Sequence, residues 1–251
     1  MKKRITCCLF AVLWFALLFS ACSHDDVVNA DSNNTSSLKE QITSTEDTAG
    51  ILPDEYDMII KNIINAYPWN DDDMTIVPEN PELSYMYRRN ASLSEIGFAL
   101  VDLDNNGRTE LIISDINKPF IYDLYTISDG EIVHLFDSGE RHFYLLYEKG
   151  LIRNTWSGSA ATTGNDFYRL SDGKLEFVER ITMDAYHALD AGLIDDLSES
   201  DENNSFFRSE SEDFEDYRSV PFDEAIEAIE ANLNENAQLI IEYTLLSEYK
   251  K

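Results

Sequence analysis

The chain is poor in cysteine and in basic residues. Its 251 residues include three cysteines, and 19 Lys and Arg stand against 48 Asp and Glu. All three cysteines lie at positions 7, 8 and 22, so the rest of the chain cannot build a disulfide framework on its own. The formal net charge of -29 makes nucleic acid and anionic head groups poor partners. It favours divalent cations and basic surfaces instead, and the fold must be held by its core, alone or with a metal.

Long apolar runs are also scarce, and the clearest one lies at the start of the chain. Lys2, Lys3 and Arg4 precede a mainly apolar stretch over residues 5–19. A charged start followed by about 15 apolar residues is typical of a secretory signal, since a membrane-spanning helix needs about 20. The sequence therefore predicts a signal peptide over residues 1–21.

Ser20 and Ala21 stand directly before Cys22 and resemble the lipobox of bacterial lipoproteins. The resemblance implies cleavage before Cys22 and a lipid, palmitate included, on that cysteine. It also implies a protein anchored to the cell membrane on its extracytoplasmic face. Phe19 departs from the pattern, because the family usually has leucine there. The alternative is ordinary signal cleavage with Cys22 as an incidental cysteine.

The rest of the chain divides into a tether and one domain. Residues 22–50 are rich in Ser, Thr, Asn, Asp and Glu, a composition that cannot bury enough surface to offset its ordering entropy. Residues 51–251 suit a single domain. Apolar residues at helical spacing predict helices over residues 56–67 and 222–233, with Pro53 and Pro221 near their starts, and a short helix over residues 83–89.

From Ile96 to Ala185 short β-rich runs alternate with turn signals such as Asn106-Gly107, Asp129-Gly130 and Asp172-Gly173. This pattern predicts an antiparallel β-meander, forming one curved sheet or a partial barrel. We expect an α+β fold in which an N-terminal and a C-terminal amphipathic helix flank that sheet. Further strands are predicted at residues 205–208 and, with a helix as the alternative, at 239–246.

One segment carries the chemistry of a metal site. From Asp102 the sequence DLDNNGRTE places oxygen-bearing side chains at the first, third, fifth and ninth positions, with glycine at the sixth. Calcium takes six to eight oxygen ligands, and a loop that turns at a glycine can direct alternate residues at one ion. The predicted ligands are the side chains of Asp102, Asp104, Asn106 and Glu110 with the backbone carbonyl of Arg108.

Apolar runs on both sides of this segment predict a strand before it and a strand after it. This arrangement resembles the calcium loops of FG-GAP and VCBS repeats, and the twelfth position is Ile113 rather than the glutamate of an EF-hand. The resemblance covers about 20 residues and implies structural calcium at a cell surface. The alternative is that Asn106-Gly107 forms a plain hairpin turn with solvated acids beside it.

A second candidate region follows Trp156, where residues 157–164 are small and polar. Trp156, Ser157 and Ser159 are possible ligand contacts in such a loop, and a plain hairpin loop with a buried tryptophan is the alternative. The region lacks the Gly-x-Ser-x-Gly nucleophile pattern. His134 and His142 are expected to be ordinary packing or surface residues on opposite faces of one hairpin.

Three functions fit these features. The first is a non-catalytic surface lipoprotein with a structural calcium loop, acting in binding or scaffolding of a cell-surface ligand. The second is an extracellular hydrolase acting on glycan or peptide, with its site near Trp156. The third is a protein whose acidic face binds a basic protein.

Overall fold

The computed structural model describes residues 52–67, 92–213 and 216–250. The predicted signal peptide, Cys22, the tether and the short helix over residues 83–89 lie outside these ranges. Within the described ranges, no helix is long and apolar enough to cross a membrane.

Three α-helices and eleven β-strands make up the described part of the chain. In chain order they are α1 (Asp54–Asn65), β1 (Ile96–Val101), β2 (Glu110–Asp115), β3 (Asp123–Ser128), β4 (Glu131–Asp137), β5 (His142–Leu146), β6 (Leu151–Ser159), β7 (Thr162–Ser171), β8 (Lys174–Asp184), α2 (Ala185–Asp190), β9 (Phe206–Ser209), β10 (Arg218–Ser219), α3 (Phe222–Asn234) and β11 (Thr244–Leu245). The two helices predicted from apolar spacing correspond to α1 and α3. The run 239–246 contributes only the two residues of β11.

The strands form two antiparallel sheets. The first sheet has five strands in the order β11-β1-β2-β3-β4, and the second has six in the order β10-β9-β8-β7-β6-β5. Consecutive strands from β1 to β4 and from β5 to β9 are neighbours, as a meander requires. The prediction of antiparallel β-structure combined with helices is therefore confirmed.

The prediction of one curved sheet or partial barrel is wrong, because the meander divides between β4 and β5. At the division, the Ser138 amide donates to the Tyr122 carbonyl and the Ser138 hydroxyl donates to the Ile121 carbonyl at 2.5 Å. These bonds join the end of β4 to the segment before β3, and past them a bridge between Gly139 and His142 begins the turn into β5. A single bridge, between Ile121 and Tyr144, joins the two sheets at this point in the described structure.

Alternation along the strands explains how the layers pack. In β2, Leu111 and Ile113 face α1, whereas Ile112 faces the second sheet. The contact between the sheets is built from Leu124 of the first and Ile152 and Leu170 of the second, with further apolar residues around them. On its other face the second sheet packs against α3. The layers therefore follow the order helix, sheet, sheet, helix.

Helix α1 is held against the first sheet by a buried apolar stripe. Tyr56, Ile60 and Ile63 are fully buried, and Ile59 is nearly so. The helix is also joined to the end of the chain, because the Tyr249 hydroxyl donates to the buried Asp57 carboxylate. Lys61 pairs with the same carboxylate at 3.0 Å.

Candidate metal centre

The segment with the calcium-like pattern is the connection between β1 and β2. Val101 and Glu110 face each other at the last pair of the ladder, so residues 102–109 form the loop. Asn105 has a φ of 58° and Gly107 a φ of 85°, whereas Asn106 is not among the residues with positive φ. A tight Asn-Gly hairpin turn needs positive φ at both of its central residues. The loop is therefore not the plain Asn106-Gly107 turn that stood as the alternative.

Three carboxylates converge in this loop. One oxygen each from Asp102, Asp104 and Glu110 lies within 4.8 Å of the other two. The aspartates also fold the loop around themselves. Asp102 accepts from the amides of Asn106 at 3.0 Å and Gly107 at 2.9 Å, and Asp104 accepts from the Asn106 amide at 3.2 Å. Backbone donors therefore hold the aspartate side chains in place.

Glu110 is the first residue of β2 and is fully buried. Its carboxylate accepts from the Leu103 amide at 2.9 Å and from the Thr126 hydroxyl at 3.1 Å. Burial raises the pKa of the Glu110 carboxyl to about 7, the Leu103 bond opposes the rise, and the charges of Asp104 and Asp102 add to it. The glutamate is thus held both by the sheet, through Thr126 of β3, and by the loop, through Leu103.

Helix α1 supports the same loop from the other side. The Tyr56 hydroxyl donates to the Thr109 carbonyl at 2.9 Å, one residue before Glu110. Burial raises the pKa of the Tyr56 hydroxyl above its usual range, so it acts as a donor at neutral pH. The apolar spacing of α1 predicted its packing, but nothing in the sequence indicated that Tyr56 and Thr126 would contact the loop.

The remaining predicted ligands take part in the loop differently. The Asn106 side-chain nitrogen donates to Asp104 at 2.9 Å, and the Asn106 side-chain oxygen accepts from the Arg108 backbone amide at 2.8 Å. The Arg108 guanidinium points to the turn between β7 and β8, where it pairs with Asp172 at 3.1 Å. The structure thus brings together three of the five predicted ligand residues as a group that could hold a cation.

The region after Trp156 is not the loop that the sequence predicted. Strand β6 runs through Ser159 and β7 begins at Thr162, because the small residues pair across a long hairpin. The Trp156 ring nitrogen donates to Asp166 at 2.9 Å, and the Ser157 hydroxyl donates to the Ser159 carbonyl at 3.2 Å. Trp156, Ser157 and Ser159 lie near the end of the β6–β7 hairpin, and the Trp156 ring nitrogen and the Ser157 hydroxyl already have protein partners.

The two histidines are also arranged differently from the expected hairpin, because β4 and β5 belong to different sheets. The ring of His134 contacts the buried Asp123 carboxylate at 2.9 Å and stacks on Tyr125. His142 of β5 lies opposite Trp156 of β6. His134 and Asp123 therefore form a polar contact within the first sheet, between β3 and β4.

Two buried polar pairs on the second sheet had no signal in the sequence. Arg180 and Asp166 form a two-pronged ion pair, with nitrogen–oxygen distances of 2.6 and 2.8 Å. Arg153 donates to Asn165 at 2.8 Å. Arginine and aspartate are almost never fully buried unless paired, so these residue types pointed away from burial.

Comparison with protein-family models and with curated proteins finds no match. Among solved structures, the chain is similar to a Xanthomonas type IV secretion system related protein, with 16% sequence identity and a TM-score of 0.29. The similarity covers 55% of this chain and 62% of that chain. The chain therefore spans less than two thirds of that protein, and a likeness this distant carries no functional argument.

Proposed function

We propose that this chain is a lipid-anchored extracytoplasmic protein whose β-domain is stabilised by calcium bound in the loop between β1 and β2. The role is binding or scaffolding at the cell surface rather than catalysis. The observation that carries the calcium proposal is the convergence of Asp102, Asp104 and Glu110 within 4.8 Å.

The donor set suits a hard cation. Carboxylate oxygens are the ligands that calcium prefers, and the group contains neither cysteine nor histidine. Asn106 and the Arg108 carbonyl stand at the remaining ligand positions of the sequence pattern, and water would complete the shell. When bound, the ion would offset the mutual repulsion of three carboxylates and join the loop to Glu110 at the start of β2.

The anchor rests on the N-terminal sequence alone. Basic residues, a short apolar run and Ser20-Ala21-Cys22 follow one another in the order of a lipoprotein signal. Lipid on Cys22 would place the tether between the membrane and α1, and the acidic domain would stand away from anionic head groups.

Calcium binding is tested on residues 23–251, which retain the tether and the whole domain. We expect millimolar or tighter binding by calorimetry and a rise in melting temperature on adding calcium. Magnesium should raise it less, because it requires a stricter geometry. Asp104→Ala should abolish both effects.

The matched control is Asp190→Ala, an exposed aspartate at the end of α2. This variant should bind calcium as the wild type does. Absence of binding by the wild type, or an equal response in the Asp104→Ala variant, would refute a calcium site in this loop.

Anchoring is tested by expressing the full chain in bacteria supplied with radiolabelled palmitate. The wild type should carry the label and partition with membranes. Cys22→Ala should carry no label and should remain unprocessed, because lipid attachment precedes cleavage in this class of signal. A labelled Cys22→Ala chain, or an unlabelled wild type, would contradict the anchor.

A further inference from the structure

Arg153 is a buried cation to which the described residues supply no opposite charge. It lies in β6 and is only 7% exposed. Its Nε donates to the Asn165 side-chain oxygen at 2.8 Å, and no described carboxylate oxygen lies within 4.0 Å of it. Arg180 and Arg208, by contrast, pair with Asp166 and Glu179. Burying an unpaired charge opposes folding by several kcal/mol.

Asn165 supplies a buried donor without an acceptor. It is fully buried, and its side-chain oxygen accepts from both Arg153 and the Thr155 hydroxyl, the latter at 3.2 Å. Because arginine can only donate, this bond fixes which end of the amide is oxygen. The side-chain nitrogen therefore has one orientation, and there it has no hydrogen-bond partner. Such a buried donor is rare in folded proteins.

The unpaired charge of Arg153 and the unpartnered donor of Asn165 lie on the same face of the second sheet. Arg153 pairs across the ladder with Leu145 on one side and Phe167 on the other, and Asn165 pairs with Thr155. Leu145 and Thr155 are only half-buried, and Leu145 belongs to β5, the edge strand. The side chains beside Arg153 and Asn165 on this face are therefore not fully covered.

An acid on the same face, Glu179, already has other partners. Glu179 lies opposite Phe167, and its two oxygens accept from Arg208 and from Asn232 of α3, both at 2.5 Å. Both oxygens of Glu179 therefore already accept a hydrogen bond from residues other than Arg153.

We propose that Arg153 and Asn165 form a binding site for the carboxylate group of a small ligand. A guanidinium presents parallel N–H groups that match the two oxygens of a carboxylate, and the Asn165 amide nitrogen adds one further donor. One buried cation balances one negative charge, which suits a monocarboxylate better than a phosphate dianion. The site is separate from the calcium loop and does not require it.

The test uses residues 23–251 with acetate as the probe, at constant ionic strength set with sodium chloride and with the metal content held fixed. We expect a saturable rise in melting temperature with acetate, of roughly 3–6 °C at ten times the dissociation constant. Phosphate and sulfate at the same ionic strength should give a smaller rise. Asp104→Ala should keep the acetate response, which separates this site from the calcium proposal.

Two variants test the roles of Arg153 and Asn165. Arg153→Met removes the charge at similar length and leaves the Asn165 oxygen with Thr155. It should melt at a higher temperature than the wild type without acetate and should lose the acetate response. Asn165→Asp supplies an internal carboxylate to Arg153. It should likewise melt at a higher temperature than the wild type without acetate and should lose the acetate response. Arg141→Met, at an exposed arginine that donates to the Gly158 carbonyl, should keep the acetate response.

Three outcomes would overturn the proposal. The first is the absence of a saturable response to acetate. The second is an equal response in the wild type and the Arg153→Met variant. The third is a larger response to phosphate than to acetate, which would assign the donors to a different anion. A lower melting temperature of both variants, with no acetate response in the wild type, would mark Arg153 as purely structural.

Discussion

At the scale of single residues, the largest energetic consequence lies in the ion pair of Asp166 and Arg180. Both side chains are almost completely buried, and two hydrogen bonds join them. Burial lowers the pKa of Arg180, but the hydrogen bond and charge of Asp166 outweigh it and raise the pKa above its usual range. Arg180 therefore stays charged and depends on its partner.

Asp166→Asn should consequently destabilise the domain by about 3–5 kcal/mol, since the change leaves a buried guanidinium without its opposite charge. Urea denaturation at neutral pH measures the loss. Asp172→Asn is the matched control, because it breaks the exposed pair with Arg108 and should cost less than about 1 kcal/mol. Equal losses in the two variants would show that burial does not govern the strength of these pairs.

At the scale of elements, helix α1 is the clearest case of a sequence pattern that determines packing. Ile60 is fully buried against the first sheet, whereas Met58 is 52% exposed. Ile60→Ala should therefore reduce the free energy of unfolding by about 2–5 kcal/mol, through lost apolar contact and the cavity that remains. Met58→Ala should change it by less than about 0.5 kcal/mol. Thermal or urea unfolding of both variants measures the two changes. Similar losses of unfolding free energy would contradict the packing of α1 on the sheet through its buried apolar face.

The strands were predictable wherever the turns were. Asp129-Gly130 and Asp172-Gly173 both have positive φ at their two residues, as tight hairpin turns require, and each joins two neighbouring strands. The exception is Asn106-Gly107, where the aspartates bond to the amides of the loop and move the positive φ to Asn105. Local chemistry of this kind is visible in the sequence only as a ligand pattern.

At the scale of the whole molecule, the division into two sheets could not be predicted. Strands β4 and β5 are short runs separated by a turn, as the strands that do pair are, and where the sheets separate Ser138 bonds to Ile121 and Tyr122, 16 or more residues earlier. The carboxylates of the candidate metal centre were predictable because they are close in sequence. Arg153 and Asn165 were not, because their relation depends on which face of the second sheet is covered.

The charge of the whole chain leads to a prediction about salt. With 48 acidic and 19 basic residues, repulsion within the compact fold should weaken when salt screens it. Raising sodium chloride from about 0.02 to 0.5 M, with multivalent ions chelated, should therefore raise the melting temperature by several degrees. Potassium chloride should give the same rise if screening is the cause. A fall in melting temperature would instead indicate that local ion pairs outweigh the net repulsion.

If the proposed lipid on Cys22 holds the chain, the bond from Tyr56 to the Thr109 carbonyl has a mechanical consequence. Tension applied along the tether would enter the domain at α1, and Tyr56 would pass part of it to the backbone beside Glu110. The loop between β1 and β2 is then loaded before the sheets are. A cation held there would act as a brace at the point where the pull arrives, and its loss would let the first hairpin open under smaller forces.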